Sequence, residues 1–357
     1  MSGTERLISV DSHYRVTVDQ LKEAVPARYR DAVDAANRLV EAPKLAAMQR
    51  RGSPPLGLGS YLHEAARHPG YSDPAARLEA MDQDGVDVEI LFSDLSAFRI
   101  VANMLDGWRE TSRAFTDIST EFAAADPSRL FVAYQIPLRD MDLAVAELER
   151  LVSDHHARTI HLPTKPSALG LPDYYHERYD PLWARLQEMQ IPVCIHLGVE
   201  DELWEIASRD PTPQLGVFTS QPAMRLSEQI GMVLLSGLFE RFPGLRFVFV
   251  EPGLGWVPYY LDSLDQKVTH GYEFPALKDK PSAYFHRNIF LTFMDERRGV
   301  ERRHEIGLDN IMWSTDFPHP ACTWPNSRKV VADLMSGVPS DEAYQLVHGN
   351  AKRVFRI

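Results

Sequence analysis

Four polar residues close apolar stretches of this chain and have the side chains that divalent metals take. Val10-Asp11-Ser12-His13 ends the first such stretch. Side chains alternate along a strand, so Asp11 and His13 would face the same way. A carboxylate beside an imidazole is a metal-binding pair, although an isolated D-x-H also fits a solvated strand-end turn. His196 ends another stretch, in Cys194-Ile195-His196-Leu197-Gly198, where Gly198 leaves backbone room beside a pocket. Alone it also fits a satisfied core histidine. Cys194, two residues earlier, reads as a small buried hydrophobe. Asp316 follows Ile311-Met312-Trp313 at a depth where a carboxylate needs a partner: a metal, a helix end or an arginine. His319 has a proline on each side, which restricts the backbone and can hold the ring over a site. Glu251, in Val250-Glu251-Pro252-Gly253, fits a hydrogen-bond partner, a proton shuttle or a structural carboxylate. His161 reads as a core or rim histidine that can face a mouth.

These residues need a scaffold that gathers strand ends. Eight short apolar runs occupy residues 7–10, 86–92, 130–136, 159–162, 191–195, 245–250, 288–293 and 310–314. Their near-continuous apolarity suits strands covered on both faces. Amphipathic stretches lie between them, among them 73–84, 140–152 and 222–241, the first with Asp73 as cap and Pro74 at the first helical position. Strand and helix alternating eight times spell an α/β (β/α)8 TIM barrel, one domain over residues 1–357. Long insertions follow strand 1 (residues 17–72) and strand 5 (residues 199–221). Both leave strand C-termini, where a barrel's active site forms, and both read as lids. The first contains a helical stretch over 18–50 and a Gly/Pro-rich tail. Asp11, His13, His196 and Asp316 then fall at one end of the barrel, on strands 1, 5 and 8.

Composition excludes other classes. The 357 residues carry 38 basic and 50 acidic side chains, a net charge of −12. Such a chain repels phosphate backbones and anionic membrane surfaces, so neither nucleic acid nor a membrane is an expected partner. Two cysteines make no disulfide framework, and a cytoplasmic location is the expectation. No apolar run approaches the ~20 residues of a membrane span. Thirteen histidines against two cysteines direct metal chemistry to imidazole and carboxylate donors.

The motifs D-S-H at 11–13, I-H-L-G at 195–198, E-P-G-L-G-W-V-P at 251–258, S-T-D-F-P-H-P at 314–320 and G-N-A-K-R-V-F at 349–355 together resemble the amidohydrolase superfamily. They resemble most its amidohydrolase-2 branch, which includes the aminocarboxymuconate-semialdehyde and resorcylate-type decarboxylases. The resemblance implies one divalent metal, zinc or manganese, on Asp11, His13, His196 and Asp316. It implies a terminal helix under the barrel, with Asn350 structural, and a homodimer or higher homo-oligomer. Many decarboxylases of the branch carry a histidine at the end of strand 6 where this chain has Glu251. Val16 stands where members with a similar Glu carry a second one. No lysine lies in strand 4, which disfavours a two-metal centre.

The leading expectation is a metal-dependent hydrolase. Asp316 would take the proton of a metal-activated water, the metal or His319 would polarise a carbonyl, and Glu251 would orient or shuttle. The alternative is non-oxidative decarboxylation of an aromatic or unsaturated acid, with Arg15, Arg99 or Arg225 facing the departing carboxylate. A barrel that binds without turnover is a third class. Tyr14, Trp204, Phe218, Trp256, Phe317 and Trp324 are expected around the mouth, which suits a small apolar or aromatic substrate.

Overall fold

The computed structural model describes residues 6–51, 67–198, 201–213, 215–274 and 276–357. Its eight strands are β1 (Ile8–Tyr14), β2 (Val88–Ser93), β3 (Leu130–Gln135), β4 (Thr159–Leu162), β5 (Val193–His196), β6 (Phe247–Val250), β7 (Ile289–Phe293) and β8 (Ile311–Trp313). They form one parallel sheet in sequence order. The seam closes beyond β8, where its extension runs along β1. There His13 N–H donates to Phe317 O at 2.6 Å and Asp316 N–H to Asp11 O at 3.0 Å. Helices separate the strands, and the architecture is a (β/α)8 TIM barrel.

Inward side chains fill the barrel. Ile8, Val10, Val88, Ile90, Phe92, Ala133, Cys194, Val248, Val250, Phe290 and Met312 pack as one cluster, which Ala351, Val354 and Phe355 of the last helix (Asn350–Phe355) join from below. Asn350 Nδ2 donates to Leu308 O at 2.8 Å and Ile311 O at 2.9 Å, so this residue is structural, as expected. Cys194 is fully buried, and burial pushes its thiol up to about 12.

The first insertion begins with Val18–Ala24 and continues in Arg30–Arg51, so the single helical stretch expected over 18–50 is broken at Val25-Pro26. Pro26 has no N–H to give and forces the preceding residue out of helical geometry. The Gly/Pro-rich tail, residues 51–60, lies outside the described residues beyond Arg51, as do residues 61–66. Asp201–Arg209 of the second insertion packs on Arg30–Arg51. Ala47, Leu203, Trp204, Ala207, Leu215 and Phe218 form a separate apolar cluster between the two insertions. Trp204 and Phe218 stack on each other at 5.5 Å inside it. No helix among the described residues is long and apolar enough to cross a membrane.

Candidate metal centre

Two local distortions aim the site residues. On β1, Ile8 and Val10 face the interior, so unbroken alternation would turn Asp11 and His13 away. The register to β2 shifts between Ser9 and Ser12, and this extra residue reverses the alternation, bringing both donors to the mouth. On β6, Val248 and Val250 face the interior, and the next residue should face out. Glu251 has φ 62°, a left-handed backbone that side-chain-bearing residues rarely adopt, and it turns back into the mouth. Asp316 is also left-handed, at φ 57°. Backbone of this kind persists where the surrounding structure holds it, often at functional sites.

The donors converge. His13 Nε2 lies 3.5 Å from Asp11 Oδ1 and 3.2 Å from Asp316 Oδ1. His196 Nε2 lies 3.2 Å from Asp11 Oδ1 and 3.7 Å from Glu251 Oε2. Two atoms about 2.1 Å from one ion lie about 3.0 Å apart at right angles and about 4.2 Å apart when opposite. All four separations fall within that window. Asp11 Oδ2, His13 Nε2 and Asp316 Oδ1 are buried without a hydrogen-bond partner among the described residues. Such atoms are costly to leave unpaired, and a divalent ion would satisfy all three. Asp11, Glu251 and Asp316 also each place a carboxylate oxygen within 4.8 Å of the others. The donor set fits one divalent metal ion.

The remaining groups surround this point. His319 Nδ1 is 2.7 Å from Asp316 Oδ1, and its ring stacks on His13 at 3.9 Å. Burial and the nearby His13 oppose a charge on His319, but Asp316 and Asp94 outweigh them and hold it up to about 9. Burial raises Asp316, yet His13 and His319 outweigh burial and keep its carboxyl down at about 2. Burial first, and then repulsion from Asp316, push Glu251 up to about 7. His161 faces the mouth beside Phe92, Phe98 and His196, and burial, followed by the other imidazoles, holds it well below the usual histidine range.

Sequence reasoning missed two supports. Asp94, just past β2, has Oδ1 2.9 Å from His13 Nδ1 and accepts from the Tyr71 hydroxyl. Arg77 is fully buried: it pairs with Glu89 at 2.9 Å and donates to the carbonyls of Gly70 and His13. Neither belongs to a motif, and no spacing rule marks them. The aromatic lining is only partly as expected. Tyr14 is buried in the opposite direction, donating to Ser119 at 2.7 Å in the helical layer, because it alternates with His13. Trp204 and Phe218 pack between the two insertions instead. Arg225 lines a small cavity with Thr164, Lys165, Gly198 and Gln229 beside the strand carrying His196.

The amidohydrolase model of the amidohydrolase-2 branch matches residues 10–357. The chain belongs to this family. Gamma-resorcylate decarboxylase of Polaromonas sp. (strain JS666) is 27% identical over 304 residues, 79% of this chain and 86% of the relative. Among solved structures, 5-carboxyvanillate decarboxylase from Sphingomonas paucimobilis superimposes with TM-score 0.73 at 22% identity, covering 99% of this chain and 100% of that one. A dihydroxybenzoic acid decarboxylase from Polaromonas sp. JS666, with bound manganese and 2-nitroresorcinol, gives TM-score 0.66 at 19% identity, covering 99% and 97%. The amidohydrolase described here is an enzyme. The expectation of a hydrolase is overturned, since the sequence relatives that span most of this chain are gamma-resorcylate decarboxylases. The error has a physical source. A metal donor set alone does not choose between attack by water and loss of a carboxylate.

Proposed function

We propose that this amidohydrolase is a metal-dependent carboxy-lyase that removes carbon dioxide from a small aromatic or unsaturated acid. The observation that carries the reading is the run of resorcylate decarboxylases among relatives that span most of the chain. Asp11, His13, His196 and Asp316 hold the metal. Two carboxylates and two imidazoles leave open positions for substrate oxygens on a six-coordinate ion, which suits manganese. When bound, the metal supplies Lewis-acid polarisation and orientation of substrate oxygens.

The chain's own residues do the rest. Glu251 holds a proton on its carboxyl group at the mouth and delivers it to the ring carbon bearing the carboxylate. The C–C bond to that carboxylate then breaks, its electron pair returns to the ring, and carbon dioxide leaves. His319, beside Asp316 at the mouth, orients the substrate carboxylate. The acid R–COO⁻ and one proton thus become R–H and CO2, with no oxidant or reductant. The apolar wall of Phe92 and Phe98 beside His161 suits a flat ring.

A carbon dioxide assay tests this over a panel of hydroxybenzoates, with manganese-loaded and chelator-treated protein. Release that depends on the metal is expected. Hydrolysis of aryl esters or amides without any carbon dioxide from the acids would overturn the reading.

A further inference from the structure

We propose that Asp94 is the positioning residue of this metal centre, the carboxylate that sets His13 and His319 side by side with their other nitrogens turned toward Asp316. The inference rests on the metal-binding part of the reading above and not on the reaction.

Two stacked imidazoles lie here between two carboxylates. Asp94 Oδ1 is 2.9 Å from His13 Nδ1 and 3.4 Å from His319 Nε2. On the opposite edges, Asp316 Oδ1 is 3.2 Å from His13 Nε2 and 2.7 Å from His319 Nδ1. The rings are 3.9 Å apart and tilted by 28°. A histidine that binds a metal through Nε2 must keep its proton on Nδ1, and a carboxylate facing Nδ1 favours that tautomer. Asp94 faces the Nδ1 edge of His13 and leaves Nε2 to the metal position.

Asp94 is itself fixed. The Tyr71 hydroxyl donates to it from the turn that ends the first insertion. Arg15 N–H donates to Tyr71 O at 2.7 Å, and Arg77 donates to the carbonyls of neighbouring Gly70 and of His13. The returning root of the insertion is therefore part of the support of the metal site. The backbone of Asp94 is open to solvent, while its side chain is only 22% exposed. Its side chain faces the two histidines and Tyr71, so the apolar core does not depend on it.

The test compares wild type with Asp94→Asn, Asp94→Ala and Tyr71→Phe. The Mn2+ dissociation constant is measured by chelator competition, the electronic spectrum of Co2+-loaded protein is recorded, and thermal unfolding is followed without metal. Asp94→Ala should weaken Mn2+ binding by about 10–100-fold, the usual effect of losing a carboxylate behind a ligating histidine. Asp94→Asn should fall between it and wild type, Tyr71→Phe should shift affinity in the same direction, and the Co2+ spectrum should move. Metal-free Asp94→Asn should still unfold in one cooperative transition, lower than wild type only by the lost pairing with the two histidines. Wild-type affinity in both Asp94 variants would overturn the proposal, as would loss of cooperative metal-free unfolding in Asp94→Asn, which would assign Asp94 to packing. If wild type itself binds neither Mn2+ nor Zn2+, the metal reading of the site falls instead.

Discussion

Replacing Glu251 by glutamine should stabilise the metal-free protein at alkaline pH while abolishing turnover. Three carboxylates, Asp11, Glu251 and Asp316, crowd one point within 4.8 Å. At that separation and an effective dielectric of 20, Coulomb's law gives about 3 kcal/mol of repulsion per pair. The imidazoles of His13 and His196 return part of it, leaving a net penalty on the order of 1–3 kcal/mol. The pH window follows from the sign of the shift. Burial and Asp316 raise Glu251 from an ordinary 4.5 to about 7 in the folded protein. The unfolded chain therefore ionises first. The penalty is absent below about 4.5, grows as pH rises, and is complete above about 7. Urea unfolding of metal-free wild type and Glu251→Gln at pH 4.5 and pH 8 measures it. The variant should match wild type at pH 4.5 and exceed it at pH 8, and saturating Mn2+ should erase the advantage by neutralising the carboxylates. An equal gain at both pH values would show that shape rather than charge is responsible. No gain at pH 8 would refute the crowding argument itself.

Other outcomes follow from the same geometry. Arg77→Met strands the fully buried Glu89, so it should lower unfolding stability by about 3–5 kcal/mol, and adding Glu89→Leu should recover part of the loss in denaturant titrations. His319 sits at about 9 in the metal-free protein, against an ordinary 6.5, so its contribution to stability is full below about 6.5 and disappears as pH rises through about 9. His319→Gln should flatten that alkaline fall in a melting-temperature profile. Trp204→Ala, within the cluster joining the two insertions, should raise KM more than it lowers kcat and leave Mn2+ affinity unchanged. Unchanged kinetics would separate that cluster from substrate access.

Much of the scaffold was legible because strands covered on both faces need apolar residues at nearly every position. Those runs end abruptly where polar donors begin, which places Asp11, His13, His196 and Asp316 at one barrel mouth from sequence alone. What aims them could not. The register shift in β1 and the left-handed backbone of Glu251 are single-residue events with no compositional mark. Simple alternation explains why Tyr14, taken for a mouth residue, is buried on the other side. Asp94 was missed because a polar residue after a strand reads as an ordinary turn, and its importance comes from His13 and Tyr71, far away in sequence. Reaction type was the least legible property, since the same donors serve water attack and carboxylate loss.

The central claim is that a carbon–carbon bond is broken and replaced by a carbon–hydrogen bond. Turnover of a hydroxybenzoate by the manganese-loaded enzyme in D2O, followed by mass spectrometry, tests it most directly. The account predicts one carbon dioxide per product and one deuterium on the carbon that lost the carboxylate, both abolished in Glu251→Gln. A product that keeps its carboxylate and gains oxygen from water at a cleaved bond would contradict it.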